Sequence, residues 1–337
     1  MKKTIKTAAL LASLVTVCSL FSACGGQKAA NSAASASGSD EVIELKLSHP
    51  SGTDHPYNTA AEMFKEKVEE ASNGSIKITV FPANQLGSQE EVTEAIQLGT
   101  IDFAVTSDDK LVTILPEIGG LGMPFLFEDT DEVYTHLNGE LGDMLSKKLE
   151  EKNIIVASWL ENGFRQITNN KQPITVPDDL KGIKIRTSST KPNMEAFNTY
   201  GASATNISFG ELYSALQLGT VDAQENPFSN ILDKKFFEVQ KYLSISRHVH
   251  TAEPRKMAKQ TFNKLTKEQQ QIVLDAGKEV SKWSFDNAKE NYDKQLEELK
   301  ELMQVNEIDR EAFKEASQPV YDTFYDQYKE VIDMVRK

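Results

Sequence analysis

The sequence predicts an α/β protein built from two similar lobes that face each other across a cleft. The main observation is an internal repeat, because residues 91–102 and 211–222 have closely similar sequences 120 positions apart. In each copy apolar residues recur at helical spacing, a glycine follows that suits a left-handed helix cap, and a β-branched residue opens a strand. Solenoid repeats are about 20–50 residues long, so copies this far apart indicate two lobes instead.

The segments around the first copy predict lobe I. Strands alternate with amphipathic helices, the pattern of a mostly parallel sheet flanked by helices. The chain is expected to cross to the second lobe at residues 161–164, where a strand ends in Glu-Asn-Gly-Phe. In order, the predicted elements are strand 44–48, helix 58–71, strand 76–81, the first repeat, helix 131–152 and strand 154–159.

Lobe II holds the second copy, and the chain is expected to return to lobe I near His250. Its predicted elements are strands 165–168 and 183–187, helix 192–200, the second repeat and helix 236–239. The predicted boundaries are 41–162 plus 252–291 for lobe I and 163–251 plus 292–337 for lobe II.

One predicted helix is unusually long. It begins after a capping box at residues 266–269 and contains no proline up to residue 303. At 1.5 Å per residue it would be about 55 Å long, which exceeds one lobe. We therefore expect it to run across the back of both lobes. The alternative is a pair of helices broken near Asn287.

The N-terminus predicts export. Lysines precede an apolar stretch over residues 7–21 that is too short and wrongly flanked for a spanning helix, so residues 1–23 are expected to be a signal peptide. Residues 20–26 resemble a bacterial lipoprotein box, in which the cysteine, here Cys24, is acylated. Phe21 stands where that box usually has leucine. Residues 24–40, rich in Ala and Ser, would be a flexible tether with a reach of roughly 20–24 Å at the membrane surface.

Cysteine content and charge exclude several functions. Cys18 would be lost with the signal and Cys24 would be lipidated, which would leave the mature domain no cysteine for a disulfide, a thiolate metal site or a nucleophile. Removing the signal takes three lysines and no acids from a net charge of −13, so the mature charge is −16. This charge, without basic clusters, opposes nucleic acid or anionic lipid as a partner. An anionic ligand would need local positive charge, so the position of each arginine matters.

Two arginines lie beside turns next to strand-forming residues, Arg165 and Arg186. A guanidinium offers two parallel donors that match the two oxygens of a carboxylate. The alternative for each is an ordinary position on a solvated strand face. His248 and His250, with Glu253 nearby, have a spacing that could place two imidazoles on one strand face, but no third metal ligand is evident.

Three motifs in order carry a resemblance to a known family: Gly-Phe-Arg-Gln-Ile-Thr-Asn at 163–169, Pro-Asp-Asp-Leu-Lys-Gly-Ile-Lys-Ile-Arg at 177–186, and the segment 209–226 that ends in Gln-Glu-Asn. They resemble the DctP-type solute receptors of tripartite ATP-independent periplasmic (TRAP) transporters, from about residue 44 to the C-terminus. The resemblance implies a two-lobed periplasmic-binding-protein-like fold, with a sheet flanked by helices in each lobe and a long helix spanning both. It also implies a monomer without cofactor or metal, whose partners are the large and small integral membrane subunits of the transporter.

The resemblance assigns most of the ligand contacts to lobe II. Arg186 would pair with the carboxylate of the solute, and Arg165 would support it. Asn226 would donate a hydrogen bond to the same carboxylate, and Phe209 would pack on the solute.

Lobe I would choose the substrate through two variable positions, Gln89 and Ser107. His55, at the predicted mouth of the cleft, could donate to a sugar hydroxyl or cap the following helix. The sequences around 159–165, 185–189 and 221–227 are similar to those of receptors for sugar acids and keto-sugar acids. A uronate-like ligand is therefore favoured, with C4-dicarboxylates second. Alanine and asparagine at 202–206 replace prolines common in the family, which could loosen the loop before Phe209.

Two other functions stay open at this point. An exported enzyme acting on carboxylated sugars could use paired acids such as Asp108 and Asp109, or Glu90 and Glu91, although adjacent acids are usually solvated. A receptor of an ATP-driven importer would share the two-lobed plan, but the long helix argues against it. The favoured reading is a non-enzymatic receptor, exported and lipid-anchored at the outer face of the cytoplasmic membrane.

Overall fold

The computed structural model of the protein describes residues 42–336. The predicted signal peptide 1–23, the lipidation site Cys24 and the tether lie outside the described residues. The strands are β1 Ile43–Ser48, β2 Ile76–Phe81, β3 Phe103–Val105, β4 Ile154–Phe164, β5 Gln166–Asn169, β6 Lys184–Arg186, β7 Ser203–Thr205, β8 Ala223–Asn226, β9 Tyr242–Ile245, β10 His250–Ala258 and β11 Gln304–Glu307.

Helices lie between most of these strands. They are α1 Pro56–Ala71, α2 Gln89–Leu98, α3 Thr130–Leu137, α4 Glu140–Glu150, α5 Lys191–Thr199, α6 Leu212–Gln217, α7 Phe228–Asp233, α8 Lys259–Phe262, α9 Lys267–Leu302, α10 Arg310–Ala316 and α11 Gln318–Arg336. Short 3-10 helices include Asp108–Leu111 after β3 and Phe209–Glu211 before α6.

Two sheets divide the strands and confirm the two-lobed α/β fold. Sheet 1 has the order β2-β1-β3-β10-β4, and sheet 2 has the order β11-β9-β5-β8-β6-β7. We call the parts of the chain built on sheet 1 and sheet 2 lobe I and lobe II. The chain passes from sheet 1 to sheet 2 at Arg165, between β4 and β5, and returns over residues 246–249. The assignment of whole segments to each lobe stays a prediction.

The prediction of mostly parallel sheets is only partly correct. β1 is parallel to β2 and β3, but β10 is antiparallel to both β3 and β4. In sheet 2, β5 is antiparallel to β8 and β9. The antiparallel pairs occur where the chain crosses between lobes, because a strand that returns beside an outgoing strand runs in the opposite direction.

Both copies of the repeat fold in the predicted order of helix, stop and strand, although the strands begin at Phe103 and Ala223 and not at the β-branched residues before them. In lobe I, α2 ends at Gly99, which is left-handed with φ of 74°. In lobe II, α6 is followed by Gly219, with φ of 69°. In each copy the next N–H, that of Thr100 or Thr220, donates to a carbonyl five residues back at 2.9 Å, which closes the helix before the strand begins.

The long helix α9 is continuous over 36 residues and begins with the predicted capping box. Its first half packs Val273, Ala276 and Val280 into the core under sheet 1. Its end packs Leu299 into the core under sheet 2. The helix therefore spans both lobes, and the alternative of a break near Asn287 is wrong.

Two predicted helices are wrong in detail. The helix expected over 131–152 is interrupted between α3 and α4, where the backbone of Gly139 is extended with φ of −127° and ψ of −151°. Gly142 then lies so close to the end of α3 that a Cβ there would be 1.8 Å from the Leu137 carbonyl oxygen. The helix expected over 236–239 is a single 3-10 turn, Phe236–Glu238, and follows an unpredicted helix, α7.

Candidate functional site

A narrow cavity lies between the two sheets and is lined by both lobes. Lobe I contributes a wall of Pro50, Tyr57, Gln89, Ser107, Asp109, Lys110, Asn162 and Glu253, and lobe II a wall of Arg165, Arg186, Ser188, Phe209, Asn226 and Asn230. Six of the seven predicted ligand contacts are thus brought together, all except His55. The cavity volume is about 20 Å³, whereas ligand pockets typically have about 300–1,000 Å³, so a solute can enter only if the walls move apart.

Arg186 ends strand β6, which lies inside sheet 2 between β7 and β8. Its guanidinium is buried, and its Nε donates to the Ile207 carbonyl oxygen at 2.9 Å. Among residues 42–336 no carboxylate forms an ion pair with it. Burial, and then the positive charge of Arg165, lowers the pKa of Arg186. Arg186 is therefore a buried cation that faces the cavity without a partner charge, and the solvated-face alternative is wrong.

Arg165, at the crossing between the sheets, is buried and already paired. Its Nε and Nη2 donate to the two carboxylate oxygens of Glu225, and Nη2 also donates to the Glu225 carbonyl. Glu225 Oε1 further accepts from the Ser188 N–H at 2.7 Å, and His248 Nε2 lies 3.3 Å from Oε2. Burial alone would raise the pKa of Glu225, but Arg165 and His248 lower it to about 2. This cluster is charge-balanced.

The two repeat copies deliver side chains to the cavity from matching places. Gln89 begins α2 and Phe209 begins the 3-10 turn before α6, 120 positions further along the chain, which is the repeat spacing. Ser107 follows the next strand in lobe I, and Asn226 ends the next strand in lobe II. Gln89 Oε1 accepts from the Ser107 N–H at 2.9 Å, so the two predicted selectivity positions touch. Asn226 Nδ2 donates to Gln224 Oε1, which leaves its second N–H for another acceptor.

His55 is not part of this cavity. Its Nδ1 accepts from the Tyr57 N–H at 3.1 Å, so it is the N-cap of α1, the alternative that the sequence left open. It lines a second cavity, of about 320 Å³, beside α9. In that cavity four acids outnumber two cations, which disfavours an anionic ligand: Asp129, Asp131, Glu161 and Asp293 against Arg247 and Lys289.

The two histidines considered for a metal face different partners. His248 lies against Glu225, whereas His250 Nε2 is 2.8 Å from Glu161 Oε2. In the described part of the chain no group of three or more His, Cys, Asp or Glu side chains is arranged to hold a metal ion. The two histidines are better explained by their contacts with these buried carboxylates at the crossing between the lobes.

Sequence reasoning did not assign Tyr57, Asp109 or Glu253 to the ligand cavity, although it considered Asp109 for acid–base work and Glu253 beside the histidine pair. Asp108 and Asp109 are buried, so the expectation that they are solvated is wrong. Burial alone would raise the pKa of Asp109, but Lys110 and two hydrogen bonds from Ser189 hold it well below its usual range. No local pattern identifies Glu253, because its position depends on the pairing of β10 with β3 and β4.

Direct contacts join the lobes on either side of the cavity. Ser189, in lobe II, donates to Asp109 Oδ2 from its N–H at 2.7 Å and from Oγ at 2.6 Å. On the other side, the Gly52 N–H donates to Asp233 Oδ1 at 3.1 Å, and Lys234 Nζ donates to the Pro50 carbonyl at 3.1 Å. These contacts would hold the two walls around a solute.

A cavity that two lobes share, with one unpaired guanidinium among the described lining residues, is suited to binding a small anion. Comparison with known proteins gives the family. Residues 47–328 match the model of the bacterial extracellular solute-binding proteins, family 7, named DctP. The chain belongs to this family, and it is a solute-binding protein of the TRAP transporter class.

Three similar proteins illustrate the range of ligands in the family. The 2,3-diketo-L-gulonate-binding periplasmic protein YiaO of Escherichia coli is 32% identical over 87% of this chain and 90% of its own length. The C4-dicarboxylate-binding protein DctB of Bacillus subtilis is 34% identical over 84% and 83%. A TRAP periplasmic solute-binding protein from Sulfitobacter sp. NAS-14.1, with bound β-D-galacturonate, is 33% identical over 87% and 98%, with a TM-score of 0.83.

The family acts outside the cytoplasm. Over residues 42–336, every helix is either too short or too polar to span a bilayer.

Proposed function

We propose that this protein binds a sugar acid carrying one carboxylate and delivers it to the membrane subunits of a TRAP transporter. The observation that carries the proposal is the Arg186 guanidinium, which is buried at the cavity and has no carboxylate partner among the described residues. A buried unpaired charge is costly, and a carboxylate would pair with it through two parallel hydrogen bonds.

The charges around the cavity favour one carboxylate over two. Arg165 is matched by Glu225, and Lys110 Nζ lies 2.9 Å from Glu90 Oε1 and 3.4 Å from Asp109 Oδ2. A second carboxylate would therefore meet no unmatched cation of the lining residues and would lie near ionised Asp109. The remaining polar groups of the lining are hydroxyls, amides and a carboxyl, which suit the hydroxyls of a sugar acid.

Each predicted residue has a role in this proposal. Arg186 pairs with the carboxylate, and Asn226 adds a further donor. Phe209 packs on the solute, while Gln89 and Ser107 contact its hydroxyls. Arg165 holds the lobe II wall in place by fixing Glu225 and, through it, the Ser188 backbone.

Capture requires motion at the crossing between the lobes, because the cavity is too small for entry as it stands. The solute then favours the arrangement in which both walls contact it, and its differential affinity drives closure. The protein acts as a receptor without turnover, so the solute is released chemically unchanged. A new product detected by chromatography after incubation would instead support the enzyme alternative.

We also propose that the mature protein is a monomer anchored through lipid on Cys24. The mass of the intact protein from membranes should equal that of a chain beginning at Cys24 plus acyl groups. Cys24→Ser should move the protein from the membrane fraction to the soluble fraction. Retention of that variant in the membrane fraction would contradict the anchor.

Titration calorimetry with D-galacturonate, galactonate and succinate tests the solute class. We expect the two sugar acids to bind and succinate to bind at least tenfold more weakly, because succinate brings a second carboxylate to a cavity with one unmatched cation. The binding should be lost in Arg186→Ala. Tight binding of succinate alone would make the C4-dicarboxylate alternative correct.

A further inference from the structure

Glu253 is a buried group at the cavity that neither the sequence motifs nor the charge pairs explain. It lies in β10, paired in register with Leu160 of β4, and its side chain lines the cavity on the lobe I wall. Only 2% of the residue is exposed, and its Oε2 has no hydrogen-bond partner within residues 42–336. Leaving a buried oxygen without a hydrogen bond is unfavourable, so its presence at a ligand cavity points to a partner on the ligand.

The groups around Glu253 do not neutralise it by direct contact. Tyr57, from α1, lies close enough to the carboxyl to oppose the rise in its pKa, but neither the Tyr57 hydroxyl nor Glu253 Oε2 makes a well-formed hydrogen bond within residues 42–336. Lys256, on the same strand, donates its Nζ to the Thr106 carbonyl at 2.6 Å instead. Asp108 and Asp109, from the 3-10 helix after β3, add like charge. Glu161, on β4, is bound to His250.

These surroundings set the protonation of Glu253. Burial, with the like charges of Asp108 and Asp109 added and Lys256 opposing, raises the pKa of Glu253 to about 8. At neutral pH the group is therefore mostly a neutral carboxylic acid, which offers one donor and one acceptor. A neutral acid can exchange hydrogen bonds with a hydroxyl without bringing negative charge close to an anionic solute.

Its place in the cavity complements that of Arg186. Arg186 and Asn226 stand on the lobe II wall, whereas Glu253 stands on the lobe I wall together with Tyr57. A solute whose carboxylate is held by Arg186 presents its other end to lobe I. We propose that Glu253 is a specificity-determining residue, whose carboxylic acid hydrogen-bonds a hydroxyl of the solute at the end away from Arg186. This inference rests on the proposed function.

The proposal has a pH signature. Ionised Glu253 would repel the anionic solute, so binding is strongest below the pKa of the free protein and weakens as pH rises through about 8. One pH unit above this point should weaken binding up to about tenfold. The carboxyl group of a sugar acid titrates near pH 3.5, so the solute itself does not change over this range.

Calorimetry with D-galacturonate between pH 6 and pH 9 tests the proposal on the mature protein, Glu253→Gln and Glu253→Leu. The parent should bind equally at pH 6 and 7 and up to about tenfold more weakly at pH 9 than at pH 7. Glu253→Gln keeps a donor and an acceptor but cannot ionise, so it should bind within a few fold of the parent at pH 7 and lose most of the decline. Lys256, whose pKa burial lowers to about 8, titrates in both proteins, so the difference between the two profiles isolates Glu253.

Glu253→Leu removes the hydrogen bonds and should weaken binding at pH 7 by about tenfold or more. Thermal unfolding without ligand checks that both variants are folded, and Glu253→Gln should unfold no lower than the parent because it removes no ion pair. Equal pH profiles for the parent and Glu253→Gln, or unchanged binding by Glu253→Leu, would overturn the role of Glu253. In either case, loss of binding in Arg186→Ala would leave the proposed function standing. If no sugar acid binds the parent at any pH, the proposed function fails and this inference falls with it.

Discussion

On the lobe II wall of the cavity, the Glu225 carboxylate accepts hydrogen bonds from Arg165 and from the Ser188 N–H. Arg186 on the same wall is buried and has no carboxylate partner among the described residues. The lobe I wall is different. Of the buried cavity-lining oxygens that lack a partner among the described residues, Tyr57 Oη, Asp109 Oδ1 and Glu253 Oε2 come from lobe I and only Asn230 Oδ1 from lobe II. This difference fits the proposed function, in which lobe II would hold one fixed group, the carboxylate, and the unsatisfied polar atoms of lobe I would select the rest of the solute.

The largest effect on stability should come from removing one partner of the Arg165–Glu225 ion pair. Arg165→Leu leaves Glu225 buried without its main counter-charge, which should destabilise the protein by about 3–5 kcal/mol in urea unfolding. The double variant Arg165→Leu with Glu225→Leu is the control and should recover much of the loss. Equal stability of Arg165→Leu and the parent would contradict the view that this wall is a preformed support.

The same pair predicts a pH dependence of stability. Because the pKa of Glu225 is lowered to about 2 in the folded state, its contribution is complete above about pH 4.5 and is lost as pH falls toward 2. The stability difference between the parent and Arg165→Leu should therefore shrink over that range in unfolding measured by circular dichroism. A difference that stays constant down to pH 2 would assign the effect to packing.

Substitution of Arg186, unlike that of Arg165, should have a large effect on binding and a small effect on folding stability. Arg186→Ala removes the unpaired cation, so binding of every carboxylate should weaken by about 2–5 kcal/mol in calorimetry. Arg336→Ala, which removes an exposed arginine far along the chain, is the matched control. Near-parental affinity of Arg186→Ala would show that the carboxylate lies elsewhere.

A smaller effect is expected at the contact that joins the walls. Ser189→Ala removes the Oγ hydrogen bond to Asp109 but keeps the backbone one, which should weaken binding by about 1 kcal/mol, mainly through faster dissociation. Stopped-flow measurement of association and dissociation checks this, with exposed Ser203→Ala as the control. A change confined to the association rate would mean that the contact does not hold the solute in.

The smallest effects on binding are expected at Gln89 and Ser107, and these effects should differ between solutes. Gln89→Ala and Ser107→Ala each remove a polar contact of the lobe I wall, so each should change affinity by about 0.5–1.5 kcal/mol, by different amounts for galacturonate, glucuronate and galactonate. Parallel calorimetric titrations of the three solutes measure the change. An equal loss of affinity for all three solutes would show that these two residues do not select among them.

The contrast between the walls also explains what the sequence could predict. Arg165, Arg186 and Asn226 belong to contiguous motifs, so their place on lobe II is encoded locally and was predictable. Glu253 and Tyr57 reach the cavity through the pairing of distant strands and the packing of α1, which no local spacing reveals. His55 was assigned to the cleft because it follows a turn near the predicted cleft mouth. The same position is compatible with capping α1, which is its role in the structure. The two-lobed fold followed from the repeat, but the antiparallel pairs at the crossings depend on long-range pairing that periodicity does not encode.

The central claim is that Arg186 binds the carboxylate of the solute and that the lobe I wall recognises the remaining part of the solute. The most direct test compares D-galacturonate with D-galactose, which carries a hydroxymethyl group in place of the carboxylate, on the parent and on Arg186→Ala. The account predicts that the parent prefers galacturonate by at least about 30-fold, corresponding to about 2 kcal/mol, and that Arg186→Ala loses nearly all of this preference. A preference that survives in Arg186→Ala would contradict the account, because the carboxylate would then be recognised by another group.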